Sequence, residues 1–317
     1  MTYEILPTYP QDSAEWHEAR MQGIGASDVA AILGLSPWQT PLSVFNTKMG
    51  VPNEIPENLA FFGHALEQPI ADWITHKHPE VGEVKEGFAA RSTVAPWLTA
   101  TFDRTTTDDA GRVVPIELKT SSAFGREKWV DGVPLYYAAQ VQQQNFILDA
   151  PYGWLAVLHG GNEPELYKVV TDWEFINDHL IPKTEAFWND HVLTKTPPDP
   201  VTSAEAVELW PGDLEVTVEG DERLYELWGA YGQMQAEQVE VGQQLDAIKL
   251  ELQKAMKDAV ALTYEGRELF TWRPRAGSTR WDTKQLEKDM PQLAATYKKQ
   301  GKPTRVFSRK TVKEVEG

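Results

Sequence analysis

The 317-residue chain has no cysteine, which excludes a disulfide framework and any thiolate-ligated zinc or iron–sulfur centre. No run approaches the ~18 to 20 apolar residues that span a bilayer. The opening MTYEILPTYPQDSAEW lacks a basic flank followed by an apolar stretch, so no signal peptide is expected. GxxxxGK[ST] is missing, which excludes a P-loop phosphate cradle. HExxH is missing too, and His64, His76, His78 and His159 are scattered without zinc-ligand spacing. These absences describe a soluble intracellular protein of the cytoplasm, with no membrane partner.

Positive charge is also scarce: 30 Lys and Arg stand against 47 Asp and Glu, a net charge of −17. Polyanion binding rests on Lys and Arg neutralising phosphates, so this balance argues against nucleic acid. The charge is uneven, however. Tyr264 to Gly317 holds 13 Lys/Arg and 7 Asp/Glu, which leaves −23 on the preceding 263 residues. A basic tail on an acidic body keeps polyanion binding open, if cations line one restricted surface.

Hydrophobic periodicity predicts the order helix, three strands, helix, two strands, helix, which is an α/β or α+β layer fold. The helices are expected after Ser13, over Leu59–His76 (Phe62, Leu66, Ile70 and Trp73 on one face), over Leu135–Asp149 and from Asp172 to about His191. The strands are expected near Val84–Phe88, Leu98–Phe102, Val113–Lys119, Tyr152–Leu158 and Leu166–Val170, with TTTDDAG as a turn. TKTPPDP (194–200) reads as a domain boundary, because adjacent prolines stop a helix and stiffen a linker. One domain is expected over 1–195 and an extension over 201–317. In the extension, Leu224 to Leu262 carries apolar residues at ten of twelve heptad a and d positions, which fits a coiled-coil arm. A single helix packed on its own domain fits equally, since Gly232 and Gly242 weaken the seam.

In VVPIELK the side chains alternate, so Ile116 and Leu118 share one face and Glu117 and Lys119 the other. A hairpin folding about Asp109–Gly111 brings Asp103, at the end of LTATFD, roughly opposite Glu117. Mg²⁺ takes oxygen ligands, usually two carboxylates with waters and a phosphate oxygen. Asp103, Glu117 and the Leu118 carbonyl supply such donors, and Lys119 beside them can orient or deprotonate a nucleophilic water and offset phosphate charge. Taken alone, D-x13-E-x-K is as readily an exposed hairpin face with an ion pair.

The wider pattern joins Trp16, Arg20, Ile24–Asp28, Gly63, Leu66, Glu67, Asp103, Glu117, Lys119, Tyr137, Gln140 and Gln142 in one order. In that order it resembles the lambda-exonuclease / YqaJ-like viral recombinase family of PD-(D/E)xK nucleases, over about Trp16–Leu158. The resemblance implies a restriction-endonuclease-like core, a mixed sheet flanked by helices, binding two Mg²⁺ ions for which Mn²⁺ can substitute. It implies a 5′→3′ exonuclease on linear duplex DNA that feeds a single-strand annealing protein, assembled as a homo-oligomer, a ring trimer in the lambda enzyme. Asp103 would bridge the metals, Glu117 and the Leu118 carbonyl would complete one site, and Glu67 would help hold the second ion. Lys119 would serve the nucleophilic water. Arg20, Ser27, Thr101 and Gln140 would receive the 5′-terminal phosphate.

Further DNA contacts are expected at Trp38 and Trp129, in loop-like segments suited to base stacking, and at Arg273, Arg275 and Arg280 in FTWRPRAGSTRW. An endonuclease or nickase on the same fold, and a non-catalytic recombination adaptor, stand as competing readings.

Overall fold

VVPIELKTS builds the central strand of the molecule, β7 (Val113–Ser121), and its length follows from having both faces covered. The computed structural model describes residues 2–10, 13–51, 57–212, 217–299, 301 and 305–310. The chain forms two compact units, Met1–Ala206 and Val207–Gly317.

The N-terminal unit opens with β1 (Tyr3–Leu6), α1 (Ala14–Met21), β2 (Ile24–Gly25), α2 (Val29–Ile32), α3 (Pro41–Lys48), α4 (Glu57–Ala65) and α5 (Glu67–Lys77). The strands β3 (Lys85–Glu86), β4 (Ala89–Ser92), β5 (Leu98–Thr101) and β6 (Arg104–Thr107) lead into β7. Then come α6 (Leu135–Leu148), β8 (Tyr152–His159) and β9 (Glu163–Val170). Helical backbone over 173–192 alternates α7 (Trp173–Phe175) and α8 (Ile181–Ala186) with π-helical segments, and α9 (Ser203–Leu209) follows. Ser13 caps α1 as expected, its hydroxyl accepting from the Trp16 amide.

Five strands form a mixed sheet in the order β3-β6-β7-β8-β9, with β7 and β8 parallel and the other neighbours antiparallel. One face packs on α5: Val114, Ile116, Leu118, Trp154 and Ala156 share a buried cluster with Ile70, Ala71 and Ile74. The other face packs on α6, where Val141 meets Leu155 and Val157. This helix–sheet–helix layering is the expected α/β class. Gly153 lets α6 settle close, since a Cβ there would lie 2.6 Å from Val141 Cγ1 and Asn145 Oδ1.

A second sheet, β1-β4-β5-β2, joins the N-terminal strand to the middle of the unit. The chain leaves this sheet after β5 and enters the five-stranded sheet at β6. The partner of β7 is therefore RTTT, whose three threonines open the segment TTTDDAG expected as a turn, and not LTAT. Gly87 lies against that crossing: a Cβ there would stand 1.7 Å from the Phe102 carbonyl oxygen.

The single helix expected over Leu59–His76 is two, breaking at Leu66. Phe62, expected on its apolar stripe, is exposed, while Ile70 is buried. No described helix is long and apolar enough to cross a membrane.

In the C-terminal unit α10 (Glu222–Met256) is one long helix, capped by Asp221. Its heptad positions Leu227, Met234, Val241, Leu245 and Ile248 are exposed. Near its start, Trp228 donates to the Lys310 carbonyl and carries the Arg309 guanidinium over its ring. The hairpin β10 (Ala261–Tyr264) and β11 (Arg267–Thr271) follows, then α11 (Thr283–Asp289) and α12 (Pro291–Tyr297). Arg273, Arg275 and Arg280 lie in exposed, irregular backbone of this unit.

Candidate active site

Two strand ends and one helix face build the site. The β6–β7 register pairs Arg104 with Ile116, so one step back along β6 sets Asp103 opposite Glu117. Asp103 Oδ2 accepts from the Leu118 amide at 2.7 Å, which locks the side chain against β7. N–H and C=O of one residue in an extended strand open to the same side, so the Leu118 carbonyl faces the side of Asp103.

Glu117, only 2% exposed, sits on the α6 face of the sheet. Its carboxylate receives the Gln140 amide at 2.6 Å, the Gln144 amide at 2.5 Å and the Lys119 ammonium at 2.5 Å. Gln140 and Gln144 are one helical turn apart and therefore share a face. A buried carboxylate is tolerable here because both of its oxygens accept from donors, Oε1 from Gln140 and Lys119 and Oε2 from Gln144. Gln143 ties the same helix to the second sheet, donating to the carbonyls of Ile24 and Thr99 at 2.9 Å each.

The electrostatics follow from this crowding. Burial and the nearby Glu117 push the Asp103 carboxyl well above the usual range, against the opposing pull of Lys119 and the Leu118 amide. Burial pulls on the Lys119 ammonium in the opposite sense, but Glu117 and Asp103 outweigh it and hold the lysine above its ordinary pKa. Lys119 is thus a firm cation when the carboxylates have no other partner.

Glu67 heads α5 with Oε1 2.7 Å from His64 Nδ1 and Oε2 3.9 Å from Arg104. Arg104 bonds the Asp103 carbonyl and the Gln68 side chain, which holds α5 to the strand that carries Asp103. Among the described residues no three His, Asp or Glu side chains are already gathered around one point.

Arg20, Ser27, Glu67, Thr101, Asp103, Glu117, Leu118, Lys119 and Gln140 all line one cavity of about 990 Å³. Arg20, in the last turn of α1, lies 4.8 Å over the Trp16 ring and donates to Asp28 at 3.2 Å. Ser27 is exposed in the turn between β2 and α2, and Thr101 is exposed at the end of β5. Gln140, read from the resemblance as a phosphate contact, gives its amide nitrogen to Glu117.

Sequence reasoning missed a buried ion pair behind Arg20. Lys48, 1% exposed, donates to Asp28 Oδ2 at 2.6 Å and to the Arg20 carbonyl at 2.8 Å. Burial alone would raise Asp28, but Lys48 and Arg20 hold its carboxyl below the usual range. Gln144 was missed as well, although its i+4 spacing from Gln140 was available. Trp129 is a correction: it is 5% exposed and stacks on Tyr137 at 5.4 Å, so it is core and cannot take a base. Trp38 is 64% exposed.

The site thus sets an acid at the entrance to β6 against an acid–x–lysine run on β7. Residues 15–150 match the model of the YqaJ-like viral recombinase domain. Nearly the whole chain aligns with "Uncharacterized protein YqaJ" of Bacillus subtilis (strain 168), at 31% identity over 95% of this chain and 94% of that protein. The chain belongs to the YqaJ-like viral recombinase family. Partial likeness to solved structures extends to the alkaline exonuclease LHK-Exo of Laribacter hongkongensis, with TM-score 0.46 and 16% identity over 62% of this chain and all of that one. A putative exonuclease of Eubacterium rectale gives TM-score 0.47 and 10% identity over 67% and 97%. A phage related exonuclease of Haemophilus somnus 129PT gives 0.43 and 10% over 56% and 99%.

The raised Asp103 carboxyl makes a pH prediction. A carboxylate must lose its proton to ligate a cation, so cation affinity rises as Asp103 ionises. With a cation on Asp103, the Mg²⁺-induced rise in melting temperature should grow as the pH climbs from the ordinary carboxylate range to well above it. An increment that is flat or shrinks over this range in differential scanning fluorimetry would contradict a cation at Asp103.

Proposed function

We propose that this chain is a Mg²⁺-dependent deoxyribonuclease that degrades one strand of linear duplex DNA from 5′-phosphorylated ends, in the 5′→3′ direction. The observation that carries the reading is the convergence of Asp103, Glu117 and Lys119 on the same cavity as Arg20, Ser27 and Thr101. Family membership supports the wider role in phage-type recombination, in which the remaining strand passes to an annealing protein.

The donor set suits a hard cation: two crowded carboxylates and a main-chain carbonyl, all oxygen. Asp103, Glu117 and the Leu118 carbonyl would hold Mg²⁺, with Glu67 available nearby, and the ion would polarise the scissile phosphate. Lys119, kept protonated by its neighbours, offsets charge on that phosphate and positions the attacking water through its N–H groups. Gln140 and Gln144 fix the Glu117 carboxylate from behind, so its orientation is set before substrate arrives. Arg20, braced by Asp28 and Trp16, presents a planar fork to a terminal phosphate, and the Ser27 and Thr101 hydroxyls add donors.

The test is digestion of linear duplexes with and without a 5′-phosphate, in Mg²⁺ or EDTA, beside a covalently closed circle. The phosphorylated linear DNA should be degraded only with Mg²⁺, and the circle should survive; cutting of the circle would establish an endonuclease instead. Arg20→Ala should slow digestion of 5′-phosphorylated ends roughly 10- to 100-fold, the worth of a hydrogen-bonded charge contact. It should leave 5′-hydroxyl ends nearly unchanged. Equal loss on both ends would remove Arg20 from the phosphate pocket.

A further inference from the structure

We propose that Trp38 and Tyr136 form a stacking platform for an unpaired nucleobase of the strand being cut, next to the catalytic cavity. The inference rests on the deoxyribonuclease reading and adds a base-binding site to it.

Trp38 presents a 64% exposed indole to solvent. The Ser36 hydroxyl accepts from the Trp38 backbone amide at 3.3 Å, which fixes the backbone there, and Tyr136 packs edge-to-face with the indole at 4.8 Å and 77°. Tyr137 lies 6.2 Å from the same indole. Tyr137 in turn lines the catalytic cavity, with the Lys119 ammonium 5.5 Å from its ring, and is backed by buried Trp129. A continuous aromatic path therefore runs from the lysine of the site to an open indole on the surface.

The chemistry selects the occupant. An exposed, preorganised aromatic face takes a flat π-system at little ordering cost, and base–aromatic stacking tolerates any sequence. The Lys128 ammonium lies over the Trp38 ring, 6.0 Å from its centroid, a cation able to meet the phosphate attached to a stacked base and out of keeping with a purely apolar partner. Bases inside a duplex have both faces covered by their neighbours, so the platform is assigned to a nucleotide already unpaired.

The experiment uses full-length protein and 5′-phosphorylated duplexes with a single abasic site stepped through the first positions of the cut strand. Cleavage is followed in Mg²⁺, and binding of a labelled, frayed-end duplex by fluorescence anisotropy in Ca²⁺. One abasic position should raise the wild-type KM and weaken binding about tenfold or more. Trp38→Ala should do the same on intact DNA, by roughly 10- to 100-fold, with the loss in KM rather than kcat. Trp38→Phe should restore most of it. Combining Trp38→Ala with the sensitive abasic position should add nothing.

A Trp38→Ala protein equal to wild type, or one still showing the full abasic penalty, overturns the platform. The binding arm separates the two readings. Protein that binds with this pattern but cuts nothing upholds the platform and refutes the nuclease, whereas cutting indifferent to Trp38 refutes the platform alone.

Discussion

Asp103→Asn should reduce Mg²⁺-dependent digestion of linear duplex DNA to background, a fall of about a thousandfold or more. The substitution keeps the shape of the side chain and its acceptor for the Leu118 amide, 2.7 Å away in the native chain, so folding is spared. What it removes is the charge that draws a cation to the end of β6. Metal assistance lowers the barrier by several kcal/mol, and each ~1.4 kcal/mol is a factor of ten in rate. Lys119→Ala separates the roles: metal binding measured by calorimetry should persist while turnover collapses, because Lys119 touches Glu117 without being an oxygen donor. Glu117→Ala should weaken both. An Asp103→Asn protein with near-native turnover, or an identical metal deficit in the Lys119 and Glu117 variants, would refute these assignments.

The second large effect is on stability. Lys48→Met leaves Asp28 buried with only the half-exposed Arg20, at 3.2 Å, as a cationic partner. Removing one member of a buried ion pair costs on the order of 3 to 5 kcal/mol, because the remaining charge stays desolvated. At roughly 2 to 4 °C per kcal/mol for a unit of this size, the melting temperature should fall by about 10 °C. Adding Asp28→Asn to Lys48→Met should recover much of that loss, since the double variant buries no lone charge. A double variant as unstable as the sum of its parts would mean that the two side chains act independently.

The reach of the sequence differs from residue to residue. Asp103 and Glu117 could be paired in advance because strand alternation and hairpin register are local rules. The strand that performs the pairing could not be seen: β6 reads RTTT, without apolar alternation. Its Thr105 and Thr106 are buried because Thr106 finds the Val81 carbonyl at 2.7 Å, a partner from a distant segment. Gln142, Gln143 and Gln144 are polar and yet buried for the same reason, each side-chain amide nitrogen donating to a backbone or carboxylate oxygen. Trp129 follows a loop-like stretch, and only the tertiary stack with Tyr137 and Tyr167 shows it to be core. Lys48 closes α3 twenty residues from the acid it neutralises, a separation that no local pattern connects.

The handover between the two sheets at Phe102–Asp103 has a mechanical meaning. Asp103 stands at the joint, while the Glu117–Lys119 pair stands in the middle of β7, the central strand of the larger sheet. The Leu118 amide that receives Asp103 ties this joint to the larger sheet, so one hydrogen bond as well as strand register sets the spacing of the two carboxylates. Gly87, with no room for a methyl group against that joint, lets the two backbones cross closely enough for the bond to form.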